Sequence, residues 1–279
     1  MGGAGNGVLC AVFVIEQSTM ALLIHCRTPG HVGPAPLFAC GREHPLPADH
    51  RFNRVLASLA QGEQLPWANH LELVELPAGQ ELQSCDTSML HVHFPTSALV
   101  VLTHTTASGA EAPVALVGND GVVGVAALMG TTPEAGRAKV LHPGHAWRLP
   151  TSALSTEEPG APQVLKATVG YLMALTSQFA QTAFCQQHHN VEQRLARWLL
   201  NALERLPGND VALDLGELAT LLGVPAEALA GAAAQLVGAG ALVCEPGRLV
   251  MPSRDLLHAR SCGCHSPAQG EVRWTSPPA

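Results

Sequence analysis

Residues 214–251 read DLGELATLLGVPAEALAGAAAQLVGAGALVCEPGRLVM, and the punctuation of this stretch decides the fold. Asp214 and Glu217 stand at capping-box spacing and open a helix over Leu215 to Leu222. Gly223 supplies a tight turn. Pro225 suits the first position of a second helix, which carries Ala226 to Val237 and stops at Gly238-Ala239-Gly240. Ala241 to Val243 and Leu249 to Met251 then flank Glu245-Pro246-Gly247 as a hairpin. Helix, short turn, helix and hairpin in this order spell a winged helix-turn-helix.

The segments before it are also helical. Asn190 with Gln193 is a second capping box, and Val191, Leu195, Trp198, Leu199, Ala202 and Leu206 form one apolar face ended by Pro207-Gly208-Asn209. Residues 163–187 read as one long helix. Its Leu165, Val169, Leu172, Thr176, Phe179 and Ala183 fall at alternating steps of four and three, a coiled-coil seam expected to join two chains.

Upstream the period changes. Phe52, Val55, Leu56 and Leu59 mark a short helix. Short β runs follow at Leu71 to Leu76, Leu90 to Phe94, Ala98 to Thr103, Pro113 to Val117, Ala138 to His142 and Ala146 to Leu149. Turn residues such as Gly118-Asn119-Asp120-Gly121 and Pro143-Gly144 separate them. Strands this short and evenly spaced predict an antiparallel barrel or roll. The expected organisation is a poorly structured extension over 1–50, a β-roll sensor over 51–160, a dimerisation helix over 161–189, a winged helix-turn-helix over 190–264 and a flexible tail over 265–279. Met20 is an alternative start within the extension, to which no function is assigned.

The chain has 279 residues, 47% of them hydrophobic and 13% charged, with a formal charge of -7. It can bury a sizeable core, and its total charge offers no bulk attraction to nucleic acid. The apolar run Val8 to Ile15 is cut by Glu16 and Gln17, too short to span a bilayer, and no signal-peptide pattern surrounds it. A cytoplasmic protein without a membrane partner is expected, with its eight cysteines reduced.

Taken together, residues 52–264 resemble the Crp/Fnr family of transcription regulators. The most specific pieces are Val114 to Gly124 (VALVGNDGVVG), Phe94-Pro95-Thr96-Ser97, and Leu218 to Val224 (LATLLGV). The resemblance implies an α+β chain: an antiparallel, cyclic-nucleotide-binding-like β-roll joined by a long dimerisation helix to a winged helix-turn-helix. It also implies a homodimer on DNA, with RNA polymerase as a further partner. It places the effector loop at Gly121, Gly124, Val125 and Arg137, and the DNA contacts at Pro225, Ala226, Glu227, Leu229, Ala230 and Arg248.

Two departures from the family pattern stand out. Val125 occupies the position of the acid that meets a nucleotide ribose, and Arg137 sits one residue away from the position of the arginine that holds a cyclic phosphate, so tight cyclic AMP binding is not expected. Between Pro207 and Pro252 there is one basic residue, Arg248, against five acids, Asp210, Asp214, Glu217, Glu227 and Glu245, a net charge of -4. DNA affinity rests largely on phosphate neutralisation, which this module hardly supplies. The alternative is therefore a family member that has lost DNA binding and acts through protein partners.

Cys262-Gly263-Cys264-His265, with His258 upstream, has metal-ligand residue types but not the usual knuckle spacing. Cys185, His188 and His189 lie at the end of the long helix, where histidine suits the negative dipole end. Cys10, Cys26 and Cys40 are too far apart for an iron–sulfur cluster of the family's type. No metal and no cofactor are expected. A phosphate loop, a nucleophile elbow and a zincin motif are all missing, which argues against an enzyme.

Overall fold

In the computed structural model, the described residues are 50–59, 67–84, 89–106, 108, 111–129, 136–154 and 161–264. The expected N-terminal extension and C-terminal tail lie outside them, save His50. Everything below belongs to one compact unit, Pro45–Ala279.

The β part begins with α1 (Arg54–Leu59) and β1 (Glu72–Leu76), followed by β2 (Glu81–Gln83), β3 (His91–Pro95), β4 (Leu99–Thr105) and β5 (Glu111–Val117). A single-turn α2 (Val125–Leu128) precedes β6 (Arg137–His142) and β7 (Gly144–Pro150). The strands form two antiparallel sheets, ordered β1-β7-β3 and β2-β6-β4-β5. Leu76 and Ala146 from the first sheet and Val100, Val117 and Val140 from the second share one apolar core. A second core joins Phe94 and Leu149 to Val55, Leu56 and Trp67, and to Tyr171 and Leu175 of the long helix. Three-residue β2 is too short to show alternation and α2 too short to show a helical period, so the sequence signals neither.

Buried Asn53 is the pin of this layer. Its Nδ2 donates to the carbonyls of Pro95 (2.8 Å) and Gly121 (2.9 Å), while its Oδ1 accepts from the amides of Val55 and Leu56 at the start of α1. All four of its hydrogen-bonding sites are used, which is what a polar group in an apolar core requires.

The helical part comprises α3 (Ala161–His188), α4 (Val191–Leu203), α5 (Leu215–Leu222), α6 (Ala226–Gly238) and α7 (Arg254–Arg260). A small sheet with order β8-β10-β9 consists of β8 (Asp210–Val211), β9 (Val243–Glu245) and β10 (Arg248–Val250). Both capping-box halves are present at Asn190. At Asp214 the side-chain half forms, the carboxylate taking the Glu217 amide at 2.7 Å. Pro225 stands one residue outside α6 as its N-cap, since its ψ of 141° is extended rather than helical. The hairpin also shifts: Ala241 and Leu242, expected in a strand, are core residues, and Pro246-Gly247 turns the chain with Gly247 at φ +67°.

The helical part packs on the β part. Leu99, Val101, Leu116 and Leu141 point out of the four-stranded sheet into the core built by α4, α5, α6 and α7. Alternate residues Val100, Val117 and Val140 point inward. This two-sided burial explains why β4 reads as an unbroken apolar run. Polar contacts tie the same seam: Lys139 to Glu217 at 3.1 Å, and the Ala212 amide donating to His142 Nδ1 at 2.9 Å.

Among the described residues no single helix is long and apolar enough to cross a membrane. Only the pair α5 and α6 approaches that composition, and it is bent by 112°.

Candidate functional site

The helix-turn-helix owes its bend to Gly223, whose φ of +61° is left-handed backbone that favours glycine. Leu229, expected among the DNA contacts, is fully buried with Leu236 in the helical core. That expectation is corrected: the α6 period turns Leu229 inward, and the outward face carries Ala226, Glu227, Gly231, Ala234 and Gln235, with Ala230 half-buried. Pro225 is exposed at the start of this face.

The basic groups nearby are spoken for. Arg248 Nε sits 3.0 Å from Asp210 Oδ2, pairing across β10 and β8, so its charge is already offset. Residues 190–264 contain six arginines and no lysine. Arg205 meets Asp120 at 2.8 Å and Arg260 meets Glu192 at 3.1 Å. Arg254 donates to the Leu203 carbonyl and Arg194 to that of Leu222, while buried Arg197 reaches Gln181 at 3.4 Å.

Gly124, Val125 and Arg137 do converge. They line a cavity of about 280 Å³ with Leu102, Val114 and Val122, and Phe179 of α3 stands at its edge. Gly124 has φ +95° and caps α2, and a β-carbon there would collide with Met89 Sδ. Arg137 Nε lies 3.3 Å from Glu111 and 3.6 Å from Glu81, so two carboxylates surround the arginine of the cavity wall. Gly121 is not in this wall. A side chain at Gly121 would strike the Tyr171 ring of α3 at 2.7 Å, so its place is a close packing contact rather than a ligand contact. Burial, with Asp120 close by, pushes the Tyr171 phenol above its ordinary range.

The seam residues Leu165, Val169, Thr176, Phe179 and Ala183 are exposed, and Leu172 is half-buried. Ala167, Thr168, Tyr171, Leu175 and Cys185 on the other face of α3 are buried in this chain.

A further group forms where sequence spacing suggested none. Cys185, His189, Cys262 and Cys264 each bring one sulfur or ring nitrogen into a cluster whose atoms all lie within 4.8 Å of one another. Cys185 and Cys262 stand 77 positions apart in the chain, a separation that no short ligand-spacing pattern covers. The legible signal was the Cys185-x-x-x-His189 step, one helical turn, which puts both side chains on one face. His188 and His258 are not in the cluster, and His265 lies outside the described residues.

No protein-family model and no curated protein matches the chain. Solved structures do match it in fold. FixK2 from Bradyrhizobium japonicum is 17% identical, with a TM-score of 0.57 over 69% of this chain and 98% of that one. A Crp/Fnr-family regulator from Eubacterium rectale is 12% identical, with a TM-score of 0.53 over 70% and 91%. The c-di-GMP-responsive global regulator CLP of Xanthomonas campestris is 18% identical, with a TM-score of 0.52 over 67% and 97%. The fold is thus the one that Crp/Fnr transcription regulators use: a β-roll followed by a helix-turn-helix.

Proposed function

We propose that this chain is a homodimeric transcription regulator of the Crp/Fnr type, working as a sensor rather than an enzyme. The observation that carries this reading is the single-chain order of β-roll, long helix with an uncovered apolar seam, and winged helix-turn-helix. Leu165, at 51% exposure, and Phe179 would be covered by the partner's copy of α3. Pro225, Ala226 and Glu227 begin the helix face offered to DNA, and RNA polymerase would be a further contact of the bound dimer.

The effector is a small, largely neutral molecule rather than cyclic AMP. Val125 offers no acceptor for a ribose hydroxyl, and Glu81 and Glu111 offset the charge of Arg137 that a cyclic phosphate would need. An effector in this cavity would touch Phe179, and so the dimer seam. Calorimetry with cyclic AMP should give no saturable heat, and micromolar binding would overturn this account of the cavity.

A second reading is favoured by one observation, the small, cation-free outward face of α6: the chain keeps the fold but docks on a protein instead of DNA. Titration of the purified chain with random-sequence duplex at low salt separates the two readings. Binding supports the regulator on DNA, and its absence at every salt concentration supports the protein-docking reading.

A further inference from the structure

Cys185 and His189 leave the last turn of α3 on one face, the His189 amide still donating to the Cys185 carbonyl at 3.2 Å. Cys262 and Cys264 follow directly on α7, which packs against α4. Two chain segments remote in sequence thus deliver three thiols and one imidazole to a single point. Cys185 and Cys262 are buried, and Cys264 and His189 half-buried.

We propose that these four residues bind one zinc ion in a closed tetrahedral Cys3His site. The spacing supports it. Tetrahedral zinc with zinc–sulfur bonds of about 2.3 Å and a zinc–nitrogen bond of about 2.0 Å has sulfur–sulfur edges of about 3.8 Å and sulfur–nitrogen edges of about 3.5 Å. The Cys185 and Cys262 sulfurs are 3.8 Å apart, and Cys264 Sγ is 3.9 Å from His189 Nδ1, so a small closing shift of the imidazole completes the site. A disulfide between Cys185 and Cys262 would have to close that gap to about 2.0 Å and would leave Cys264 and His189 with no part in it.

Charge supports it as well. Three thiolates around a divalent ion leave one net negative charge, and a buried anion needs a cation close by. Arg194 and Arg197 of α4 line the same small cavity as Cys185. Arg197 is buried, and its Nε has no hydrogen-bond partner.

With all four positions supplied by the chain, the ion has no open coordination place for catalysis and acts as a staple. It fastens the segment after α7 to the end of α3, at the junction where α3 hands over to α4. The metal therefore holds the joint between the sensing part and the helix-turn-helix. It also explains why thiols are concentrated at this joint.

The test is metal analysis of the full-length chain purified under reducing conditions without chelator. About one zinc per chain is expected. Cobalt added to the reduced apoprotein should give the thiolate charge-transfer and visible bands of a tetrahedral cobalt site. Cys264→Ser should lose the metal, and Cys244→Ser, in the wing hairpin, should keep it. His189→Ala should bind more weakly, and His189→Cys should restore binding as a four-thiolate site. Where Cys262→Ser fails to fold, the cobalt spectrum of the wild-type chain still decides. A reduced wild-type chain that takes up neither zinc nor cobalt overturns the proposal. So do iron in place of zinc, full zinc retention in Cys264→Ser, or a Cys185–Cys262 disulfide in freshly purified protein.

Discussion

Arg205, just past the end of α4, places its Nη2 2.8 Å from the carboxylate of Asp120, in the turn between β5 and α2. The same arginine lies against Gly118, where a β-carbon would come within 2.5 Å of its side chain. The turn that holds Asp120 also holds Gly121, packed on Tyr171 of α3. One short loop of the β part thus touches both α3 and the segment just past α4, and the ion pair is its latch.

Removing one partner of such a pair strands a charge in the interior. Asp120→Ala should cost about 3 kcal/mol in urea unfolding, because Arg205 stays buried without its counter-ion. Replacing both, with Arg205→Met added, should recover most of that loss. If Asp120→Ala is neutral, the latch carries no stability.

Phe179 lies at the exposed seam and at the edge of the cavity. Phe179→Glu would bring a charge into an apolar interface, with no Lys or Arg on the neighbouring turns of α3, and sedimentation should show a monomer. A wild-type chain that is already monomeric at micromolar concentration would exclude the seam as a dimer contact.

His93 is buried in β3, and burial, with His91 and Arg148 adding to it, lowers its pKa from 6.5 to about 4. The folded state therefore holds it neutral while the unfolded state still takes up a proton. Its contribution is whole above pH 6.5 and is lost as pH falls towards 4, a loss of roughly 3 kcal/mol. Urea unfolding of His93→Leu should show a flatter pH dependence across that window than wild type. Parallel curves would assign the acid sensitivity to other groups.

For DNA, each neutralised phosphate adds about -0.9 to the slope of log affinity against log salt. With the arginines of residues 190–264 held by partners within the chain, the slope should be shallow, roughly -2 to -4. Ala226→Arg with Glu227→Arg should steepen it and tighten non-specific binding. A steep slope with tight, specific binding in wild type would move the reading surface away from α6.

The capping residues, the turn glycines and the two hydrophobic periods were legible in the sequence because they are local. Asn190 with Gln193, and Gly223 between two apolar helices, act within a few residues of themselves. Where local patterns were ambiguous the boundaries moved, as with Pro225 and the wing hairpin. Leu229 faces the core and not DNA, because being early in a helix does not tell which way a side chain points.

The order of β-roll, long helix and winged helix-turn-helix therefore lay in the sequence itself, written in periods and caps that each segment satisfies alone. The tertiary structure decided what those segments do to one another. It turned Leu229 inward, spent Arg248 on Asp210, set Arg205 against Asp120, and gathered Cys185, His189, Cys262 and Cys264 at one point. The reason is physical: charge pairing and ligand geometry depend on distances of a few ångströms between residues far apart in the chain, and only packing sets those distances.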